Sequence, residues 1–514
     1  MNGAESLVRT FLDAGVTVCF ANPGTSEMHF VAALDAHPDM RCVLCLFEGG
    51  TTGAADGYFR MTRDPAATLL HLAPGFGNAF ANAHNAAKAG SGMVNVVGDH
   101  ATYHQRYESP LKSDAPGVSR TVSDWTRVSG DAASVATDGA AAVQAARGLN
   151  GQVATLILPA NTAWDNADVP AATPAPAPLR QADDAAIAVA ADALRQPGAA
   201  LMIGGGHMSE GLLHLGGQIA QATGCRLMGP YFTPRIRRGA GTARIDRLAY
   251  HIDQNTQILA GTDTLVLCGA ARPVGFFAYP GKPSLPEPPG CRVIELCDAR
   301  MDYAASLQSL ARAVGVDPET APPVEVLDIP DLPTGKLDAE KVGAVVAHLM
   351  PENAIMVDEG VTSSAPVQAA TRTARPHDWL HTMGGAIGNC LPMAVGAAVA
   401  CPERKVIAQT GDGSAMYTIQ SLWTMAREQL DVTVIVFANR GYQILWGELS
   451  NVGAGQSGRN AAAMFDIANP ELDFVALALG HGVPGVRAET AEDFATALRR
   501  GLETPGPFLI EAVI

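Results

Sequence analysis

Short runs of β-branched and other apolar residues alternate with alanine-rich segments along the whole 514-residue chain. Each run has the length of a strand, and each intervening segment has the length of a helix. This alternation is typical of parallel sheets with helices on their faces, so it predicts an α/β fold. In the N-terminal third the predicted strands are Val16–Phe20, Cys42–Phe47, Thr68–His71, Val94–Val97 and Ala154–Leu158.

Two proline-rich segments, 170–178 and 321–333, interrupt this pattern and are predicted to be linkers. They divide the chain into three consecutive doubly wound parallel-sheet domains, with predicted bounds 1–168, 180–320 and 335–514. Strands are predicted in the middle domain at Ala199–Ile203, Thr264–Cys268 and Arg292–Leu296, and in the last at Ala354–Val357, Lys405–Gln409 and Val432–Ala438.

The charge balance argues against some classes of partner. Asp and Glu number 51 against 35 Lys and Arg, a formal net charge of −16, which disfavours nucleic acid and anionic membranes. Nine scattered cysteines and no visible signal peptide predict a cytoplasmic protein. The weakly polar stretch 384–401 contains Asn389 and Pro392, so it is predicted to be a buried loop and helix rather than a membrane span.

The strongest motif is Gly411-Asp412-Gly413-Ser414, which directly follows a predicted strand. Asn439 lies 27 residues after Asp412, at the end of the next strand. Parallel strand ends would place the two side-chain oxygens together, and such oxygens suit Mg²⁺ or Ca²⁺ completed by phosphate oxygens. The flanking glycines allow backbone N–H groups to approach a diphosphate. Alone, the motif is also a common turn, and the spacing to Asn439 is what favours a binding site.

With that spacing, the motif resembles the diphosphate motif of thiamine-diphosphate enzymes, and within them benzoylformate decarboxylase and acetolactate synthase large-subunit-like proteins. The resemblance implies a pyrimidine-binding domain, a middle Rossmann-like domain and a diphosphate-binding domain. It also implies thiamine diphosphate as cofactor and Mg²⁺ bound by Asp412, Asn439 and the Gly441 carbonyl. The family's usual second asparagine is absent, since Ala438 and Arg440 flank Asn439.

The same resemblance assigns a catalytic carboxylate to Glu48. The segment Glu48–Tyr58 is similar to the family's E-x(3)-G-A-A-D-G-Y pattern with one extra residue, and Glu48 is predicted to end its strand. A carboxylate there would hydrogen-bond the aminopyrimidine and promote loss of the thiazolium C2 proton. The other residues implied to bind cofactor are Asn22, Pro23, Asn78, Thr362, Gly385, Ile387, Gly411, Gly413, Ser414 and Tyr442. Core packing is an equally open interpretation for Tyr442.

Four further residues are candidates for the reaction itself. Thr25, in Asn-Pro-Gly-Thr, stands where benzoylformate decarboxylase has a serine that holds the substrate carboxylate. His71 matches a catalytic histidine of that relative, and an imidazole suits proton transfer in both directions. His100 and His104 follow a strand end and are weaker candidates, with loop histidines as the alternative. The second active-site histidine of that relative has no match in Gly275–Tyr279.

These features predict an enzyme that cleaves or forms the carbon–carbon bond beside the carbonyl of a 2-oxo acid. Decarboxylation of an aromatic 2-oxo acid and a catalytically silent cofactor-binding relative remain alternatives. FAD is doubtful because the middle domain has Gly204-Gly205-Gly206 without the full GxGxxG spacing. The resemblance also implies a homodimer or homotetramer with the cofactor between subunits.

Overall fold

The computed structural model describes residues 1–514 and contains three sheets. The first has six parallel strands in the order β2-β1-β3-β4-β6-β5. Its strands are β1 (Val18–Ala21), β2 (Arg41–Leu44), β3 (Ala66–Leu70), β4 (Met93–Asp99), β5 (Trp125–Val128) and β6 (Val153–Pro159). The helices around it are α1 (Gly3–Asp13), α2 (Met28–Asp35), α3 (Glu48–Thr62), α4 (Leu72–Ala89), α5 (Ala115–Arg120), α6 (Ala132–Arg147) and α7 (Ala160–Trp164).

The middle sheet is also parallel, with the order β10-β8-β7-β11-β12. The strands of this part of the chain are β7 (Ala199–Ile203), β8 (Arg226–Gly229), β9 (Ile236–Arg238), β10 (Asp246–Arg247), β11 (Thr264–Cys268) and β12 (Arg292–Cys297). Its helices are α8 (Asp184–Leu194), α9 (Glu210–Thr223), α10 (Ile252–Ile258) and α11 (Tyr303–Val314). Strand β9 leaves this unit and joins the third sheet.

The third sheet has seven strands in the order β17-β18-β16-β15-β13-β14-β9, and only β9 is antiparallel to its neighbour. The strands are β13 (Ile355–Glu359), β14 (His377–His381), β15 (Val406–Gly411), β16 (Val432–Ala438), β17 (Gly485–Ala488) and β18 (Phe508–Val513). The helices are α12 (Ala339–Leu349), α13 (Ser364–Ala370), α14 (Cys390–Ala400), α15 (Asp412–Ala415), α16 (Ser421–Arg427), α17 (Gln443–Asn451), α18 (Arg459–Phe465), α19 (Phe474–Gly480) and α20 (Ala491–Glu503).

The predicted α/β class with three parallel-sheet units is confirmed. Strands β5, β8, β9, β10, β14, β17 and β18 were not among the predicted strands. Strand β2 ends at Leu44, and Glu48 is the first residue of helix α3 rather than the last of a strand. The three residues between them turn the chain so that the helix can begin. The antiparallel strand β9 was not predicted, because its pairing with β14 joins segments about 140 residues apart. No helix is both long and apolar enough to cross a membrane.

Glycines bring helix α3 of the first unit into close contact with helix α14 of the third. A side chain at Gly57 would collide with the Met393 carbonyl, and one at Gly396 would collide with the Ala54 carbonyl. The backbones therefore approach each other as only glycine permits. This packing fixes α3, and hence Glu48 at its N-terminus, against the third sheet's unit.

A buried ion pair on α3 also connects the units. Arg60 donates through Nε and Nη2 to the two carboxylate oxygens of Asp56, at 2.8 and 2.7 Å, and both side chains are at most 1% exposed. Arg60 Nη1 also donates to the backbone carbonyls of Pro234 and His381. One guanidinium thus satisfies acceptors in all three parts of the chain.

We expect Arg60→Ala to destabilise the protein by about 3–5 kcal/mol, because Asp56 would remain buried without its cation. Urea denaturation followed by tryptophan fluorescence measures this loss. The matched control is Arg41→Ala, which removes an exposed pair with Glu428 and should cost at most about 1 kcal/mol. Equal losses in the two variants would contradict the prediction.

Candidate active site

The first sheet gathers several of the predicted residues at one edge. Asn22 follows β1, Glu48 follows β2 after a short turn, His71 follows β3, and His100 follows β4. Because all four strands run parallel, their carboxyl ends lie on the same side of the sheet. The adjacent order β2-β1-β3-β4 therefore places these residues in a row.

The carboxylate of Glu48 is held by a predicted cofactor-binding residue. Glu48 is 8% exposed, and Asn78 Nδ2 in helix α4 donates to its Oε2 at 3.0 Å. Gly75 lies beside the other oxygen, since a Cβ there would lie 3.0 Å from Glu48 Oε1. Asn78 is thus positioned to orient Glu48, and one carboxylate oxygen remains without a side-chain donor.

His71 is oriented by a glutamate that sequence reasoning missed. The ring atom Nδ1 lies 2.9 Å from Glu27 Oε2, and Glu27 is 3% exposed. Glu27 also accepts hydrogen bonds from the Gly24 N–H and the Ser26 hydroxyl. A carboxylate at Nδ1 favours the tautomer with its proton there and leaves Nε2 free to accept a proton. The Gly24-x-x-Glu27 spacing of a helix start was the signal that could have revealed Glu27.

Thr25 is exposed and begins the short 3-10 helix Thr25–Glu27. The Oγ atom of its neighbour Ser26 lies 3.4 Å from His71 Nδ1. His100 Nε2 hydrogen-bonds Ser109 Oγ at 3.0 Å, and its ring centroid lies 5.6 Å from that of His104. Both histidines therefore lie in one loop after β4 and pack on each other. Of these three histidines, His71 is the one whose ring hydrogen-bonds a buried carboxylate, that of Glu27.

The third sheet carries the second group of predicted residues. Strands β15 and β16 pair in parallel register, with Gly411 opposite Phe437, so Asp412 and Asn439 emerge at the same edge. Asp412 is 4% exposed and accepts hydrogen bonds from the N–H groups of Gly413 and Arg440, at 2.8 and 2.6 Å. Asn439 Oδ1 accepts from the Gly441 N–H at 3.1 Å. Ser414 is buried in the short helix α15.

The surroundings of Asp412 fit a divalent cation. Burial raises the pKa of Asp412, and only backbone N–H groups hydrogen-bond its carboxylate. A cation would offset that burial. The chain contains no cluster of three or more His, Cys, Asp or Glu side chains suited to a metal. Asp412, Asn439 and the Gly441 carbonyl would thus need added oxygens, such as those of a diphosphate, to complete a shell.

Tyr442 lies over this turn. Its ring occupies the space that a side chain at Gly413 would fill, which explains the glycine there. Thr362 is exposed in the 3-10 helix Val361–Ser363, which follows β13 at the same edge of the sheet. The structure therefore brings Thr362, Gly411, Asp412 and Tyr442 to one edge.

The segment 384–388, which contains Gly385 and Ile387, lies against the first unit of the same chain. Asn85 Nδ2 donates to the Ala386 carbonyl at 2.8 Å, and Asn82 Nδ2 donates to the carbonyls of Gly49 and Gly388. Gly385 has a φ of +73°, a conformation that favours glycine. Ile387 is half-buried. Asn82 therefore hydrogen-bonds both Gly49, the residue after Glu48, and Gly388, the last residue of this segment.

Glu359 is a buried acid that sequence reasoning also missed. It ends strand β13 and accepts hydrogen bonds from the Asn389 N–H at 2.9 Å and the Thr410 hydroxyl at 3.2 Å. Burial raises its pKa to about 7, and the hydrogen bonds only partly oppose this. Glu359 therefore ties the segment before α14 to the strand that leads to Asp412. Its only sequence signal was its position at a strand end.

Comparison with known proteins decides the family. The N-terminal thiamine pyrophosphate-binding domain model matches residues 1–118, and the C-terminal model matches residues 360–512. The chain belongs to the thiamine pyrophosphate enzyme family. The two matches cover the edges that carry Glu48 and Asp412.

Two curated relatives align along nearly the whole chain of this thiamine pyrophosphate enzyme. A Mycobacterium tuberculosis protein named "Putative acetolactate synthase large subunit IlvX" is 50% identical over 517 residues, covering 100% of this chain and 99% of the relative. Benzoylformate decarboxylase from Pseudomonas aeruginosa is 30% identical, covering 97% and 96%. The protein is therefore of the acetolactate synthase and benzoylformate decarboxylase type.

Solved structures show the same fold. The thiamine diphosphate-dependent 4-hydroxybenzoylformate decarboxylase of Rhodococcus jostii RHA1 has a TM-score of 0.85 at 24% identity, covering 99% of this chain and 98% of that one. Benzoylformate decarboxylase from Polynucleobacter necessarius has a TM-score of 0.86 at 21% identity, covering 100% and 99%. At these identities the likeness concerns the three-unit architecture alone.

Proposed function

We propose that this protein uses thiamine diphosphate and Mg²⁺ to break or form the carbon–carbon bond beside the carbonyl of a 2-oxo acid. The observation that carries the proposal is the Glu48 carboxylate, buried at a helix start and oriented by Asn78. Asp412, Asn439 and the Gly441 carbonyl would hold the cation and diphosphate. Thr362, Gly411, Gly413, Ser414 and Tyr442 lie beside them, and Asn22, Pro23, Gly385 and Ile387 would contact the pyrimidine.

When bound, thiamine diphosphate supplies a nucleophilic carbon and an electron sink for the bond that breaks. Glu48 would hold a proton at the aminopyrimidine, and its burial excludes competing water. His71 Nε2 would donate or accept the proton of the reacting carbon or oxygen, with Glu27 stabilising the charged imidazole. Thr25 and Ser26 would offer hydroxyl groups to the substrate carboxylate.

Decarboxylation of an aromatic 2-oxo acid to an aldehyde is the second candidate. The His71–Glu27 pair favours it, because releasing an aldehyde requires a proton donor at the reacting carbon. In ligation to a second carbonyl compound, as in acetolactate synthesis, His71 would act on the proton of an oxygen rather than on that of the reacting carbon. A catalytically silent relative would have no need for the oriented Glu48 and His71.

Proton NMR of the products tests the proposal. The enzyme is incubated with thiamine diphosphate, Mg²⁺ and either pyruvate or benzoylformate, with and without an aldehyde acceptor. Acetolactate or another ketol would assign ligation, and benzaldehyde would assign decarboxylation. Absence of any product, with cofactor shown to be bound, would contradict the proposed activity.

A homodimer or homotetramer is part of the same proposal. Exposed apolar side chains flank both halves of the site: Leu46 and Phe80 lie near Glu48 and Asn78, and Met416, Tyr417 and Leu445 lie near Asp412 and Asn439. Apolar groups in such positions favour contact with a second copy of the chain. Sedimentation velocity would reveal a dimer or larger species, and a monomer at micromolar concentration would contradict this part of the proposal.

Flavin is not included in the proposed cofactor set. The glycine turn Gly204–Gly206 follows β7, and at Gly205, where φ is +110°, a side chain would collide with the ring of Tyr303. Packing against Tyr303 therefore accounts for this glycine without a phosphate ligand. A visible absorbance spectrum of the purified protein would reveal bound flavin.

We expect Glu27→Gln to lower kcat by about 10- to 100-fold, because the neutral amide stabilises imidazolium less and no longer fixes one tautomer. Thermal unfolding of the variant distinguishes this from a packing defect, since the amide keeps the size of the carboxylate and the protein should stay folded while kcat falls. Thr121→Val, which removes an exposed hydroxyl outside the site, is the control. A wild-type kcat in Glu27→Gln would contradict the assigned role of Glu27.

A further inference from the structure

One aromatic side chain of the middle unit separates a large cavity from the glycine segment of the third unit. The cavity has a volume of about 550 Å³ and lies at the carboxyl ends of β7 and β11, reaching Met383. Phe276 lines it. On its other side, Phe276 reaches Gly385, where an added Cβ would lie 2.8 Å from the Phe276 Cζ atom. The Phe276 ring, 42% exposed, therefore lies between this cavity and the surface over Gly385, and we call it the partition.

Neighbouring side chains hold this partition in place. The ring of Tyr250 packs on Phe276 with centroids 5.2 Å apart, and Phe232 lies at 6.1 Å. Three residues along the chain, the Tyr279 hydroxyl lies 2.9 and 3.1 Å from the two carboxylate oxygens of Glu448. Glu448 belongs to α17, which begins just after the Asn439 turn. The segment that carries Phe276 is thereby anchored to the helix beside the cation-binding turn.

The charges near the partition bear on which substrates fit. Burial, with Glu448 as a further cause, raises the pKa of Tyr279 to about 12, so the hydroxyl stays protonated and donates to Glu448. The cavity's arginines are paired, Arg272 with Glu287 and Arg300 with Asp124. Lys88 also lines the cavity and forms no ion pair, so the charges here do not exclude an acidic side chain and the ring discriminates by size alone.

We propose that Phe276 sets the substrate range: it excludes 2-oxo acids with a long aliphatic side chain by closing the space over Gly385 from the cavity behind it. This inference rests on the proposed function, because it takes Gly385 as a cofactor contact. Removing the ring would join the two spaces, so a long aliphatic side chain could extend into the cavity. Each methylene buried there should raise the affinity about four-fold.

The test compares Phe276→Ala, the milder Phe276→Leu and the control Leu285→Ala. Leu285 belongs to the same unit, is 39% exposed and does not line the cavity. We expect the ratio of kcat/KM for 2-oxooctanoate to that for pyruvate to rise about 10- to 200-fold in Phe276→Ala. Phe276→Leu should give a smaller rise, and Leu285→Ala should leave the ratio unchanged.

A binding measurement keeps this inference separate from the proposed function. Calorimetry on protein that also carries Glu48→Gln reports 2-oxooctanoate affinity without turnover, and the affinity should rise when Phe276→Ala is added. If Phe276→Ala raises the 2-oxooctanoate affinity while the wild-type enzyme turns over neither acid, the partition is supported and the proposed function is contradicted. Turnover of pyruvate with an unchanged ratio and unchanged affinity in Phe276→Ala would overturn the inference.

Discussion

Replacing Glu48 by glutamine is expected to lower turnover by about 100- to 10,000-fold, the range that a positioned acid–base group contributes. The amide has the size of the carboxylate and can still accept a hydrogen bond from Asn78 Nδ2, so the helix start should be preserved. The glutamine, however, cannot take up or release the proton that the carboxylate would exchange with the aminopyrimidine. Steady-state kinetics with the substrate found by product analysis measures the loss.

Thiamine diphosphate affinity separates this effect from misfolding. We expect the Glu48→Gln protein to bind the cofactor within a few-fold of the wild type, because the proposed diphosphate contacts lie in the third unit. Glu428→Gln, which changes a glutamate paired with exposed Arg41, should leave both turnover and affinity intact. Full turnover in the Glu48→Gln enzyme would remove Glu48 from the catalytic role proposed for it.

Replacing Asp412 by asparagine is expected to weaken binding of thiamine diphosphate with Mg²⁺ by about 30- to 5,000-fold. The physical reason is the loss of a buried negative charge opposite the cation, an interaction of the kind that costs about 2–5 kcal/mol when one partner is removed. The amide oxygen can still accept one of the two backbone N–H groups that hold Asp412. Calorimetric titration of cofactor in the presence of Mg²⁺ measures the change.

Asp431→Asn is the matched control for this prediction. Asp431 immediately precedes β16 and contacts Lys405 at the opposite edge of the same sheet, so it should not affect cofactor binding. Removing Mg²⁺ with a chelator should weaken binding in the wild type but have little further effect in Asp412→Asn. Wild-type affinity in the Asp412→Asn protein would contradict the assignment of Asp412 as a metal ligand.

Much of the fold could be predicted from the alternation of strand and helix patterns, because parallel strands buried on both faces are continuous apolar runs. Strand β16 was predicted with its observed bounds, Val432–Ala438, for this reason. The motif around Asp412 was predictable as well, since its residues are local and lie at strand ends. The short strand β9 was not, because its three residues carry no periodicity and depend on a distant partner.

The interactions that orient the candidate residues were less accessible from sequence. Glu27 faces His71 across 44 positions, and Tyr279 faces Glu448 across 169. A single sequence contains no signal for such pairs, because each depends on how loops from different strands meet. For the same reason the role proposed for Phe276 could not be predicted, because it depends on the contact with Gly385 in another unit of the structure.

The most direct measurement of the central claim is the rate at which bound thiamine diphosphate exchanges its C2 proton with deuterium, followed by quenched-flow NMR. This rate requires no knowledge of the substrate. The account predicts rapid exchange on the wild-type protein with Mg²⁺ and exchange slowed by about 100-fold or more on Glu48→Gln. Exchange on the wild-type protein no faster than that of free cofactor, or equal rates on the two proteins, would contradict it.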